Sequence, residues 1–241
     1  MTIKKTTATI AAGAALLLVA GCGSGGDSAP ASGSAAAPAS SADPGRASSL
    51  VLDKSGFPAG YQVLEVPRGQ LKQISDSMLG TVRSAKVTPA ECGQVALFPD
   101  RPDLTQVGFA VAMKATSMLA ETVLVSDQTV DDVRKSISGA CTKVMVEITE
   151  GQAAGGKGTT TSKVIDVPET KADKAIAVEQ RSTIVLNGTT VKTTRVLGFA
   201  QVNGYLVGVQ AGDAGAGGGP DLAAFNTTFA KAVDKVAAKT A

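Results

Sequence analysis

The chain has 241 residues, with 23 basic and 21 acidic side chains, no histidine, no tryptophan and two tyrosines. A charge this close to balance, without a basic run or aromatic side chains for base stacking, argues against a nucleic-acid partner. The lack of histidine excludes Ser-His-Asp triads and HExxH metal sites. We expect no catalytic residue, no cofactor and no metal site.

The first 22 residues have the pattern of a bacterial lipoprotein signal. Lys4 and Lys5 precede an apolar run over 10–20, and Gly21 comes directly before Cys22. The run is too short for a permanent membrane span. We predict a signal peptide over 1–21, cleavage after Gly21, and acylation of Cys22 by diacylglycerol and palmitate. The alternative is an ordinary signal peptide with an incidental cysteine.

The segment after the predicted signal peptide has a low-complexity composition. Residues 22–48 are mostly Ala, Ser, Gly and Pro, which bury too little apolar surface to offset the entropy of ordering. We predict a disordered tether there, with a mean span of roughly 25 to 30 Å. Residues 49–241 then form a single α+β domain on the extracytoplasmic side of the cell membrane.

The first third of this domain predicts a short strand and two helices. Residues 61–66 are typical of a strand, and apolar residues over 71–82 recur at helical spacing. Thr88 is a suitable cap and Pro89 a suitable first-turn residue for a second, short helix that carries Cys92.

The middle of the domain alternates between strand and helix patterns. An apolar residue at every second position over 107–113 and the run over 122–125 predict an antiparallel pair. A helix over 130–137 follows, with Asp127 or Thr129 as its cap, and residues 144–148 form another strand.

The end of the domain gives the strongest pattern. Runs over 176–186, 190–202 and 205–210 are separated by Asn187-Gly188 and Asn203-Gly204, which are typical hairpin turns. Pro220 and Asp221 open a last helix with an apolar stripe. The sum predicts an α+β fold: a curved antiparallel sheet of five to seven strands, with helices on one side and one disulfide.

Two cysteines remain once Cys22 is assigned to lipid. In an oxidising compartment, Cys92 and Cys141 are expected to form a disulfide, although two free buried thiols stay open as an alternative. The two thiols are far apart in sequence and no histidine is available, which makes a zinc site a poor interpretation.

Three other patterns have simple structural interpretations. The segment 151–158 resembles a phosphate-binding loop but has Gly158 where Ser or Thr is required, and extended residues follow it. The glycine-rich segment 212–219 is interpreted as a connection. Acidic pairs that a glycosidase could use are expected to face solvent: Asp131/Asp132, Glu147/Glu150 and Asp166/Glu169.

The whole arrangement resembles a known family. The lipoprotein signal, the tether, Thr88-Pro-Ala-Glu-Cys92, Ser138-Gly-Ala-Cys141 and the Asn-Gly meander are similar to actinobacterial envelope lipoproteins whose domain resembles the extracellular sensor domain of PknH-type Ser/Thr kinases. The resemblance implies the Cys92–Cys141 pairing and a ligand cleft. Those domains generally have two disulfides, and this chain can form one.

Two functional hypotheses follow. The first is a non-enzymatic, membrane-anchored binding or sensor domain for a small envelope molecule or an envelope protein partner. The second is a lipid or glycolipid carrier with an apolar cavity. A third, a hydrolase without histidine, requires carboxylates that face one cavity.

Overall fold

A computed structural model describes residues 42–67, 69, 72–73, 76, 85–93, 103–150, 154–213 and 219–241. Its centre is one antiparallel sheet with the strand order β1-β3-β4-β9-β8-β7-β6-β5-β2. The strands are β1 (Gln62–Leu64), β2 (Ala85–Thr88), β3 (Gly108–Lys114), β4 (Ser117–Val125), β5 (Lys143–Ile148), β6 (Lys157–Ile165), β7 (Lys174–Leu186), β8 (Thr189–Val202) and β9 (Tyr205–Asp213).

The predicted meander is confirmed as β7, β8 and β9. Asn187, Gly188, Asn203 and Gly204 all have positive φ, between 47° and 83°. Two successive residues of this kind make the tight turn that matches the twist of a hairpin. These local turns fix the register of the three central strands.

One face of the sheet, called the first face, packs against two helices, α1 (Ala47–Leu50) and α3 (Leu222–Thr240). Asp221 caps α3 by accepting the Ala224 N–H at 3.0 Å. The predicted apolar stripe is buried at Phe225, Phe229, Val233 and Val236, whereas Leu222 is exposed. These side chains form one core cluster with first-face residues such as Val196, Ala200 and Val207.

The opposite, second face packs against α2 (Val130–Ser136). Thr129 and Asp132 form a capping box at its start. The predicted apolar residues Val130, Val133 and Ile137 are buried against a separate cluster. That cluster contains Leu197, Phe199 and Leu206, which alternate along β8 and β9 with the first-face residues.

Two parts of the predicted architecture are wrong. The sheet has nine strands, not five to seven. The two that were not predicted are β2, which has only four residues and pairs with the distant β5, and β6, whose sequence is mostly Thr, Ser and Lys. The helices lie on both sides of the sheet, not on one side, because strand alternation gives both faces apolar residues. The α+β class and the single disulfide are confirmed.

The start of the folded part also differs. The tether was predicted to continue to Ser48, but a 3₁₀ helix spans Pro44–Arg46 and Ala47 in α1 is fully buried. Gly108 of β3 explains the close fit, since a Cβ there would lie 2.2 Å from the Ala47 carbonyl oxygen. Small residues make this contact, so composition did not reveal it.

The region of the first two predicted helices is only partly described. Gly69, Lys72, Gln73 and Asp76 are helical, whereas the apolar residues expected to define that helix lie outside the described residues. Thr88 does not cap a helix: it ends β2, and Ala90–Gly93 forms a 3₁₀ helix after it.

Candidate functional site

Five polar side chains lie together on the second face of the central strands. They are named the polar cluster: Thr160, Ser162, Gln180, Ser182 and Arg195. Register explains their proximity, because Gln180 of β7 is directly opposite both Ser162 of β6 and Arg195 of β8. Thr160 is directly opposite Ser182. The cluster thus spans three adjacent strands and lies beside the buried apolar residues Val178 and Leu197 of the same face.

Hydrogen bonds connect the polar cluster in two groups. The Nε and Nη2 atoms of Arg195 donate to Gln180 Oε1 at 3.0 and 2.8 Å. Gln180 Nε2 then donates to Ser162 Oγ at 3.2 Å. The second group is a hydroxyl pair, Thr160 Oγ1 and Ser182 Oγ, 2.8 Å apart. The Gln180 carbonyl oxygen orients the guanidinium through two donors, so the position of the positive charge is fixed.

Arg195 is the most unusual member of the cluster. Only 7% of the residue is exposed, and burial lowers the pKa of its guanidinium to about 10. The side chain therefore remains a cation at physiological pH. Charges in such surroundings act more strongly than at the surface, because less water screens them. The polar cluster is accordingly a fixed positive centre within the sheet.

Arg195 faces a glycine on the neighbouring strand β9. Gly212 of β9 is directly opposite Arg195, and a Cβ at that glycine would lie 3.9 Å from the Arg195 Cβ. Gly208 lies on the same face of β9, opposite Phe199. The position directly opposite Arg195 on β9 therefore carries no side chain.

The predicted disulfide is present. Cys92 and Cys141 lie in the 3₁₀ helices Ala90–Gly93 and Gly139–Thr142 and are bonded, with a Cα–Cα distance of 5.3 Å. The bridge joins the chain after β2 to the chain before β5, next to the pair that these strands form. Cys22, the predicted lipidation site, lies outside the described residues.

The acidic pairs do not form a shared site. Asp132 accepts the Thr129 N–H in the capping box, and Asp131 pairs with Lys174. Glu147 pairs with Lys157 at 2.7 Å on β5 and β6, and Asp166 and Glu169 lie in the segment between β6 and β7. Within the described ranges, no three acidic or cysteine side chains come close enough to hold a metal ion.

The glycine-rich segments differ in how much of them is described. Residues 151–153 lie outside the described residues, and β6 begins at Lys157, so a strand follows where a phosphate-binding loop would need a helix. Of the second segment, residues 214–218 lie outside the described residues. None of the helices in the described part of the chain is both long and apolar enough to cross a membrane.

Sequence reasoning identified the disulfide but not the polar cluster. Arg181 and Arg195 both appear in strand patterns, and both were expected to face solvent or a groove. In the structure, Arg181 is exposed and lies on the first face, whereas Arg195 is buried and lies on the second face. The Asn187-Gly188 turn sets which residues of β7 and β8 are opposite each other. Counting back from that turn pairs Gln180 with Arg195 and places both on the same face as the apolar pair Val178 and Leu197.

Comparison with solved structures finds similar folds, among them the two that follow. A putative uncharacterized protein from Mycobacterium smegmatis matches at 16% identity and a TM-score of 0.44, covering 81% of this chain and 97% of that one. The extracellular domain of PknH from Mycobacterium tuberculosis matches at 14% identity and a TM-score of 0.42, covering 83% and 96%. No family model and no curated protein matches the chain.

The second of these structures is of the kinase type that the sequence resembles. A similarity this distant says nothing about what the present chain binds, so its function has to be inferred from its own contacts. Those contacts define an α+β domain with a buried, positively charged polar cluster in its sheet.

Proposed function

We propose that this chain is an extracytoplasmic binding domain, tethered to the cell membrane through acylated Cys22, whose polar cluster binds a small molecule with a negatively charged group. The observation that carries the proposal is Arg195, a buried guanidinium fixed by Gln180 at the centre of a sheet. The domain binds its ligand without chemical conversion and acts as a receptor or sensor.

Energetics support a binding role for Arg195. A buried cation costs several kcal/mol of desolvation, and buried ionic groups are often replaceable by apolar side chains without loss of stability. Strongly perturbed ionisable groups are concentrated at functional sites. A guanidinium presents a planar set of donors that matches carboxylate and phosphate oxygens. Ser162 and the Thr160–Ser182 pair provide hydroxyl groups beside it.

Thermal unfolding in the presence of inorganic phosphate or citrate tests this site. Either anion should raise the melting temperature of the wild type in a concentration-dependent way, relative to chloride at equal ionic strength. Arg195→Met should abolish the shift, and Arg195→Lys should weaken it because the planar fork is lost. Equal shifts in the wild type and in Arg195→Met would contradict the proposal.

The carrier hypothesis makes a different prediction. A lipid or glycolipid carrier should co-purify with acyl lipid in stoichiometric amount. Organic extraction of the purified protein followed by mass spectrometry measures that lipid directly, and its absence would leave the binding domain as the better interpretation.

The chain enters the domain at a fixed point, which sets where a membrane anchor at Cys22 would hold it. Tyr205 Oη accepts the Asp43 N–H at 3.0 Å and donates to the Asp43 carbonyl at 2.8 Å. Arg46 Nη2 donates to the Lys239 carbonyl at 2.9 Å. The end of the tether is therefore fixed to β9 and to α3, so an anchored Cys22 would hold the domain near the bilayer.

Metabolic labelling tests the anchor. Radiolabelled palmitate should enter the wild type and should not enter Cys22→Ala, and the variant should leave the membrane fraction. Cys92→Ala is the control, because that cysteine belongs to the disulfide and not to the anchor. Unlabelled wild type, together with unchanged fractionation of Cys22→Ala, would contradict the proposal.

A further inference from the structure

The first face of the sheet carries a concentration of positive charge away from the helices. Six exposed cations point from it on five strands, and we name this surface the basic face: Lys86, Lys143, Lys157, Lys163, Arg181 and Lys192. Glu147 and Glu179 are the acidic side chains on the same face of these strands. The face therefore has a local excess of cations in a chain whose net charge is only +2.

Strand register shows that the basic face is continuous. Lys143 of β5 is opposite Thr161 of β6, which is opposite Arg181 of β7. Two residues further along the strands, Met145 of β5 is opposite Thr159 of β6. Thr159 is opposite Thr183 of β7, which is opposite Lys192 of β8. Residues that are opposite on adjacent antiparallel strands point to the same side of the sheet. The cations thus share one surface of short, mostly hydroxyl-bearing side chains.

The carboxylates neutralise only part of this charge. Glu147 pairs with Lys157 at 2.7 Å, and Glu179 pairs with Arg181 at 2.8 Å. Lys143 and Lys192 are opposite threonines. The surface also exposes apolar atoms, since Met145 is 57% and Val185 44% exposed. Exposed cations around a few exposed apolar side chains are typical of surfaces that associate with anionic lipid.

Sheet geometry makes the basic face accessible to a flat partner. Helix α3 packs on β8, β9 and β4, whereas the centre of the basic face lies on β5, β6 and β7. Neighbouring strands rotate by about 20 to 25°, so the four steps from β9 to β5 turn the sheet by about 80 to 100°. The basic face consequently points in a different direction from α3.

We propose that the basic face docks the domain onto an anionic lipid surface. Each surface cation adds a comparable electrostatic contribution near such a membrane, which decays within the Debye length. The inference is independent of the ligand at Arg195, which lies on the opposite face of the sheet. It is also independent of Cys22, because the face itself supplies the attraction.

Vesicle partitioning of the full chain tests the docking. The wild type is mixed with vesicles of pure phosphatidylcholine or of equal parts phosphatidylcholine and phosphatidylglycerol, and the bound fraction is measured by sedimentation. The apolar contribution of the N-terminal segment is present with both vesicles, so the acidic-to-neutral ratio reports the charge effect of the whole chain. We expect a ratio well above one in 0.1 M salt that approaches one in 0.5 M salt.

Two charge-matched variants locate the effect. Lys143→Glu, Lys163→Glu and Lys192→Glu together should lower the acidic-to-neutral ratio by roughly a hundredfold. Lys54→Glu, Lys135→Glu and Lys231→Glu change the net charge equally at exposed positions elsewhere and should leave most of the ratio. Circular dichroism and thermal unfolding verify that both triple variants are folded.

Three results would overturn the proposal. The first is a wild-type ratio near one in 0.1 M salt, and the second is an equal loss in the two triple variants. The third is binding of soluble polyphosphate that depends on Lys143, Lys163 and Lys192 while the vesicle ratio stays near one. That result would assign the basic face to a dissolved polyanion instead of a membrane.

Discussion

The carboxylate of Glu121 on β4 accepts the backbone N–H of Leu52 at 2.8 Å beneath the helices of the first face. Glu121 is fully buried, and its other oxygen, Oε1, has no hydrogen-bond partner within the described part of the chain. Lys235 of α3 lies above the same segment, where it donates to the Val51 carbonyl at 2.6 Å and is 3.7 Å from Asp53. A buried acidic group thus holds the segment around Leu52 onto the sheet.

This contact should make folding depend on pH. Burial raises the pKa of Glu121 from 4.5 to about 7, while the Leu52 N–H and Lys235 lower it and Asp53 raises it. The folded chain therefore keeps a proton that the unfolded chain loses above pH 4.5. Stability should fall as pH rises between these two values, by about 3 kcal/mol, and then level off.

Glu121→Gln is the variant that tests the pH dependence. The amide keeps an acceptor for the Leu52 N–H and cannot ionise. Urea unfolding at pH 5, 6, 7 and 8 should show a flatter profile than the wild type and higher stability at pH 8. The same slope in both proteins would show that Glu121 does not titrate in this range.

Removal of the disulfide should destabilise the domain. The bridge closes a loop with a sequence separation of 49, which corresponds to about 4 kcal/mol on the chain-entropy model. Replacing Cys92 and Cys141 together by alanine should lower the free energy of unfolding by about that amount. Dithiothreitol should destabilise the wild type similarly and leave the double variant unchanged. A reductant effect on the double variant would assign it to another cause.

Local patterns in the sequence predicted the central elements well. The Asn187-Gly188 turn specifies its own hairpin, since both residues adopt positive φ without help from the rest of the fold. The apolar stripe of α3 predicted the packing of Phe225 and Phe229. Each of these signals lies within a few residues, so no knowledge of distant contacts was needed.

The features that the sequence did not reveal depend on distant pairing. Glu121 precedes the apolar run over 122–125 and gives no local sign that Leu52, 69 residues away, will cover it. The apolar residues over 107–113 recur at every second position, yet Ala110 and Ala112, on the other side of β3, are the ones that join the core cluster beneath α1. The polar cluster likewise needs the register of three strands before Arg195 can be separated from Arg181.

Gly198 of β8 should be the least tolerant of the glycines in β8 and β9. A Cβ there would lie 2.7 Å from the Phe229 ring and 2.8 Å from Phe225 Cζ, so a side chain would have to displace two fully buried rings. Gly198→Ala should cost about 1 to 3 kcal/mol, the range observed when a packed core is overfilled. Gly208→Ala on β9 is the matched control, because its Cβ would meet its nearest atom, on Phe199, at 3.7 Å. Urea unfolding of the two variants compares them directly, and an equal loss of stability in both would show that strand propensity, and not contact with α3, sets the cost.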